Sequence, residues 1–220
     1  MPTEIHQNEA DPTRAALGSE TLLHDLRGLV PDRRVSHLES LRITEAQAAM
    51  LRSSLGVEQD HFPTHLVQLL PRVEIQTVDD IPASGTSFWG NRTWHIHIHA
   101  QETATQHRFT VLHELKHIID HPNQRILYDE REFVVYGERE IVADYFAACV
   151  SLPEDRLRAA YGQTRDHAAL AHRFGVSTRR LLLRLSEIGL TETVIHIPQR
   201  STSRTDYLTR ATSGFEENVR

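Results

Sequence analysis

Two histidines four positions apart, with a glutamate directly after the first, stand inside an apolar helical run: His113-Glu114-Leu115-Lys116-His117. On an α-helix, residues i and i+4 project from one face, so both imidazoles point the same way. Phe109, Val111 and Leu112 precede the run and Ile118 and Ile119 follow it. The pair is therefore buried beside a core, where ring nitrogens cost free energy unless each finds a partner. Hydrogen-bond acceptors are one solution. A metal ion held by both rings at about 2.0–2.1 Å is the other. Glu114, adjacent to the first histidine, can then reach an attacking water without entering the coordination sphere.

A catalytic zinc commonly takes three protein ligands and keeps a fourth position open, so a third donor is expected from a separate element. Glu140 starts the next helix, and Asp144 lies one turn further along the same face. In that arrangement Glu140 touches the metal while Asp144 accepts the free N–H of a ligand histidine, orienting the ring and raising its basicity. Glu138 is the rival ligand, with no carboxylate four residues beyond it. A solvated first turn favoured by the helix dipole is the plainer account of these acids. Two histidines and one carboxylate also suit non-haem iron, so the donor set alone leaves zinc and iron open.

The surrounding pattern is α+β with a small, mostly antiparallel sheet. Ser36-His37-Leu38-Glu39 has capping-box form; Leu38, Leu41, Ala48, Leu51 and Leu55 follow at helical spacing, and Gly56 is a natural stop. A shorter helix is expected over Pro63–Leu70. Strands are expected over Arg72–Val78, Thr86–Trp89 and Arg92–His99, the last two joined at Gly90-Asn91. In the third strand Trp94, Ile96 and Ile98 share one face and His95, His97 and His99 the other, which reads as a solvated or cleft-facing surface. With 15 histidines in the chain, the row alone does not make a second metal site. Helices over Thr103–Asp120 and Glu138–Ser151 carry the candidate site.

Asp166–Phe174, the turn Gly175-Val176, and a helix capped by Ser177 and running to about Ile188 match a helix-turn-helix. Arg165, Arg173, Arg179, Arg180 and Arg184 surround it. Two readings stand. The arginines contact phosphate, or the pair is a helical hairpin packed on the core; a formal charge of −6 favours the second. A strand-like run, Thr193–Ile197, precedes a polar tail.

Hydrophobic residues at 39% and charged residues at 25% of 220 fit a globular protein with one good core or two modest domains. No apolar run approaches the roughly 20 residues of a membrane span. Met1–Ala10 lacks the order of a signal peptide. Cys149 stands alone, so a reducing compartment, the cytoplasm, is expected. Residues 1–20 and 199–220 are expected to be disordered, with the main domain over 21–153 and the helix-turn-helix-like region over 154–198.

The run Arg108–His117, followed by Glu140-Ile141-Val142-Ala143-Asp144-Tyr145-Phe146-Ala147-Ala148 and Pro153, resembles the ImmA/IrrE metallopeptidases across about residues 36–190. The resemblance implies a zincin-like, cytoplasmic, zinc-dependent protease. His113, His117 and Glu140 would hold Zn2+, and Glu114 would be the catalytic acid/base. It further implies a protein substrate, a helix-turn-helix repressor whose cleavage releases stress-response or mobile-element genes. The family's second motif usually has a polar residue near 142 and asparagine at 144. Val142 therefore has no expected part in metal binding, and Asp144 is a chemically sound replacement. By analogy with zincins, the strand ending at His99 would bind substrate backbone by strand addition. An oxyanion partner would come from among His95, His97, His99, His121, Tyr128, Tyr136 and Tyr145. A transcription regulator that keeps the zinc fold without turnover is the competing class.

Overall fold

A computed structural model describes residues 21–128 and 132–191, with backbone alone for 132–136. The expected arm over 1–20, the strand Thr193–Ile197, the tail from Gln199 and the Tyr136 side chain lie outside the described residues. Helix α1 (21–28) and α2 (His37–Ser54) open the fold. Ser36 Oγ caps α2 by accepting from the Glu39 amide at 3.3 Å. The inward face of α2 carries Ile43, Ala48 and Leu51 together with Ser40, Thr44, Gln47 and Arg52. Its polar members rotate the expected apolar stripe, and Leu38 is left 68% exposed. The shorter helix expected after Pro63 forms as a 3-10 helix, Thr64–Leu69.

Three strands follow: β1 (Val73–Val78), β2 (Gly85–Gly90) and β3 (Thr93–His99). Their spatial order is β1-β3-β2. They alternate in direction, as a meander does, but β3 inserts between the other two. Its pairing with β2 is antiparallel (Ser87 opposite Ile96) and its pairing with β1 parallel (Ile75 opposite Ile96). The sheet is thus mixed, a correction to the mostly antiparallel expectation. The β2–β3 turn bends at Asn91 and Arg92, both at positive φ, one residue later than the Gly90-Asn91 reading.

The order also corrects the strand expected to receive substrate. Both edges of β3 are paired, so it has no main-chain groups left for strand addition. Among the described strands β1 and β2 are the edge strands of the sheet. The histidine face of β3 is not simply solvated either. His95 is buried, and Phe88 stacks on it at 5.2 Å and meets His97 edge-on at 5.0 Å.

Helix α3 (Ala104–Asp120) starts with a full capping box, Thr103 with Gln106. It runs under β2 and β3, and α5 (Glu132–Ser151) packs against both α3 and α2. A short turn of helix, α4 (Gln124–Leu127), lies between them. Ile96, Ile98, Val111, Leu115, Ile118, Ile119 and Phe146 are fully buried in one core shared by sheet and helices. A second apolar cluster gathers Leu152 with α6 (Glu154–Gln163), α7 (His167–Phe174) and α8 (Thr178–Glu187). Asp166 and Ser177 cap α7 and α8, as their types and positions predict. None of the described helices is long and apolar enough to cross a membrane.

One close approach sets the site. A Cβ on Gly85 would lie 2.4 Å from Thr110 Cγ2, so only glycine lets β2 lie this near α3. Two strand residues advance about 6.7 Å and four helix residues about 6 Å, so the next matched pair is Ser87 over Glu114.

Candidate metal centre

Helix α3 supplies His113, Glu114 and His117, all buried, and α5 supplies Glu140 and Asp144. His113 Nε2 is 3.2 Å from Glu140 Oε2, and His117 Nε2 is 3.3 Å from Glu140 Oε1. The two Nε2 atoms are 3.1 Å apart. Donors bound about 2.0–2.1 Å from one ion at tetrahedral angles would stand about 3.3–3.4 Å apart. The two ring nitrogens have nearly that separation, and each lies within 3.3 Å of one oxygen of the Glu140 carboxylate, so the three side chains can share one ion. Among the described residues this is the one group of His, Cys, Asp or Glu gathered closely enough to share an ion.

Hydrogen bonding alone fits the trio poorly. Asp144 Oδ1 lies 2.8 Å from His113 Nδ1, and a carboxylate only accepts, so the proton sits on Nδ1. In neutral His113 the bare Nε2 lone pair then faces a Glu140 carboxylate oxygen at 3.2 Å. A cation at the centre of the trio removes that repulsion, and the donor set of two imidazoles and a carboxylate fits a divalent transition metal. Without the metal, a proton substitutes. Burial disfavours charge on His113, but hydrogen bonds to Asp144 and Glu140 outweigh it and lift the ring to about 9. Burial likewise opposes ionisation of Glu140, yet the two histidines hold it well below the usual carboxylate range. Asp144, with burial opposed by His113 and Arg180, is held at about 2.

The sign of the resulting pH dependence is definite. In the metal-free chain, charged His113 stabilises the fold fully below its ordinary 6.5, and that contribution is lost as pH rises through about 9. Thermal melts in chelator should therefore show Tm falling across that window. Asp144→Asn, which removes the charged acceptor of the Nδ1 proton, should flatten the fall. A Tm equally pH-dependent in both proteins would contradict it.

Glu114 is not one of the three donors. Its buried carboxylate accepts from Ser87 Oγ at 2.9 Å, which holds it beside His113. Glu138 turns away from the trio, with Oε1 3.9 Å from His37 Nδ1 on α2, so geometry selects Glu140 over its rival. Val142 is buried with Ile43, Leu127 and Tyr128 in a small apolar cluster, which explains an apolar side chain there.

The proposed oxyanion partners are mostly committed elsewhere. Tyr128 donates to Asp120, and burial and that carboxylate push its hydroxyl far above the usual range. Tyr145 donates to Glu45. His99 Nδ1 accepts from the Gln101 amide at 3.1 Å, and His121 packs edge-on against Trp94 at 4.9 Å.

Two contributors were not legible as site residues: Ser87 and Arg180. Arg180 Nη1 donates to Asp144 Oδ2 at 2.9 Å, although its sequence context suggested phosphate contact or solvent. Three of the four other arginines of this region are similarly engaged. Arg173 pairs with Asp60 at 2.5 Å, Arg165 lies 3.9 Å over Tyr161, and Arg184 is buried and bonded to Glu187 at 3.1 Å.

This geometry meets an independent finding: residues 72–186, just over half the chain, match the peptidase M78 model, described as an IrrE N-terminal-like domain. The chain belongs to the peptidase M78 family. The matched span contains all three donors, Glu114, Ser87, Asp144 and Arg180. Among solved structures the M78 chain is similar to a Mycobacterium tuberculosis transcriptional regulator, at 19% identity and TM-score 0.52 over 75% of this chain. It spans 62% of that protein's length, and at such identity the likeness shows the shared fold. No curated protein sequence matches it.

Proposed function

We propose that this chain is a zinc-dependent endopeptidase acting on a protein substrate, a helix-turn-helix transcriptional repressor whose cleavage releases stress-response or mobile-element genes. The observation that carries the reading is a trio of two imidazoles and a carboxylate close enough to share one ion, with a buried, non-donor carboxylate beside it. His113, His117 and Glu140 are its ion-holding residues. Zinc bound there would supply Lewis acidity, polarising the scissile carbonyl and making water more acidic. Glu114 takes a proton from the attacking water and delivers it to the departing amine nitrogen. Ser87 fixes the carboxylate that does so, and Asp144 fixes the His113 tautomer. Substrate backbone would run along β2, the edge strand that carries Ser87 over Glu114.

DNA contact by α7 and α8 is not part of this reading, since the guanidinium groups of Arg165, Arg173, Arg180 and Arg184 have partners within the chain. The repressor substrate and cytoplasmic setting come from the family resemblance.

The test is elemental analysis of protein purified without added metal, followed by incubation with repressors encoded beside it. Equimolar zinc is expected, with cleavage that stops on chelation and returns with zinc. Cleavage that persists after complete metal removal would refute the metallopeptidase reading. Iron in place of zinc would refute its metal assignment.

A further inference from the structure

The Asp144 carboxylate is gripped from two sides. Oδ1 takes the hydrogen bond from His113 Nδ1 at 2.8 Å, and Oδ2 takes one from Arg180 Nη1 at 2.9 Å. With both oxygens engaged, the plane of the carboxylate is fixed, and with it the direction of the His113 ring. Arg180 is itself held. Its guanidinium carbon lies 3.8 Å from the centroid of Phe109, one turn before His113 on α3, and stacking on an aromatic face orients a planar cation. Its backbone amide is pinned by the Ser177 cap of α8 at 3.3 Å.

The rest of α7 and α8 is docked so as to deliver that side chain. Gly175, at φ +68° in the turn between them, has no room for a Cβ, which would meet His61 Cδ2 at 2.3 Å. Its carbonyl accepts from Arg108 at 2.8 and 3.2 Å. Arg184, one turn beyond Arg180, lies buried over Tyr145, the neighbour of Asp144. Contacts on both sides of Arg180 therefore bind α8 to the two helices that carry the metal donors.

We infer that Arg180 is a positioning residue of the metal centre, acting through Asp144 on His113, so that the helix-turn-helix-like pair is a working part of the site. The inference rests on the metal-binding reading above. Partners outside the coordination sphere typically govern affinity by about 10–100-fold. A residue one step further out is expected to sit at the lower end of that range.

Zinc affinity measured by competition with a chromophoric chelator tests this, together with the visible spectrum of the cobalt-substituted protein. Arg180→Ala should raise the zinc Kd about tenfold and shift the cobalt bands, and Arg180→Lys should recover part of the loss. Arg173→Ala, which loosens the same helix pair at Asp60 without touching Asp144, should leave both readouts as in the unaltered chain. Unchanged Kd and spectrum in Arg180→Ala would overturn the inference, and so would an equal loss in Arg173→Ala. Should Arg180→Ala fail to fold, Arg180→Gln, which keeps one donor and loses the charge, is judged by the same criteria. Failure of the unaltered chain to take up zinc overturns the metal reading instead, so the two failures are distinguishable.

Discussion

Glu114→Gln is expected to keep its full metal content and to lose about 10²–10⁴-fold in cleavage rate, the usual contribution of a positioned general acid–base group. The amide has nearly the shape of the carboxylate and can still accept from Ser87 Oγ, so packing at this buried position survives. It cannot take a proton from water at neutral pH. The trio His113, His117 and Glu140 is unaltered, because Glu114 contributes none of the three donor atoms. Single-turnover cleavage of a repressor, run beside zinc stoichiometry on the same preparation, reads both halves of the expectation. A variant that cleaves at the original rate would remove Glu114 from the chemistry. A variant that loses cleavage yet preserves derepression in cells would favour the regulator that works without turnover.

The helical half of this site was legible because its signal is local. His113 and His117 share a face by helix geometry alone, and Asp144 follows Glu140 by one turn, so spacing predicts two aligned pairs. That the pairs face each other is tertiary information; the apolar residues around both motifs implied it, and the packing of α5 on α3 provides it. Ser87 was not legible for a definite reason. Its place over Glu114 depends on how β2 lies along α3, which Gly85 permits but does not announce. Arg180 was misleading in a different way. A basic residue in a helix-turn-helix pattern invites a nucleic-acid reading, whereas its partner is a carboxylate 36 positions earlier. Sheet order failed similarly. Alternating strands show direction and facing, but nothing in the period-two pattern says that β3 lies between β1 and β2.

The metal-bearing helix carries a second polar device, and its removal should cost the most stability. Lys116, the single lysine of the chain, is 1% exposed. Its Nζ donates to Asp120 Oδ1 at 2.7 Å and to Gln47 Oε1 on α2 at 2.6 Å. Gln47 in turn donates to the Leu26 carbonyl at 2.9 Å, and Tyr128 to Asp120. The network ties α1, α2 and the end of α4 to the helix that holds both histidines. Burial pulls the Lys116 ammonium down, and Asp120 pushes it back up. The pair is thus mutually dependent, and deleting one member leaves a buried charge uncompensated at about 3–5 kcal/mol. Lys116→Met is expected to destabilise the fold by that amount. Adding Asp120→Asn should return a large part of it, because the exposed liability is the lone carboxylate rather than the missing contact. Urea titrations should be run in chelator, since bound metal would add its own stabilisation and mask the difference. A double variant less stable than Lys116→Met by the full cost of Asp120→Asn alone would show that the two residues act independently.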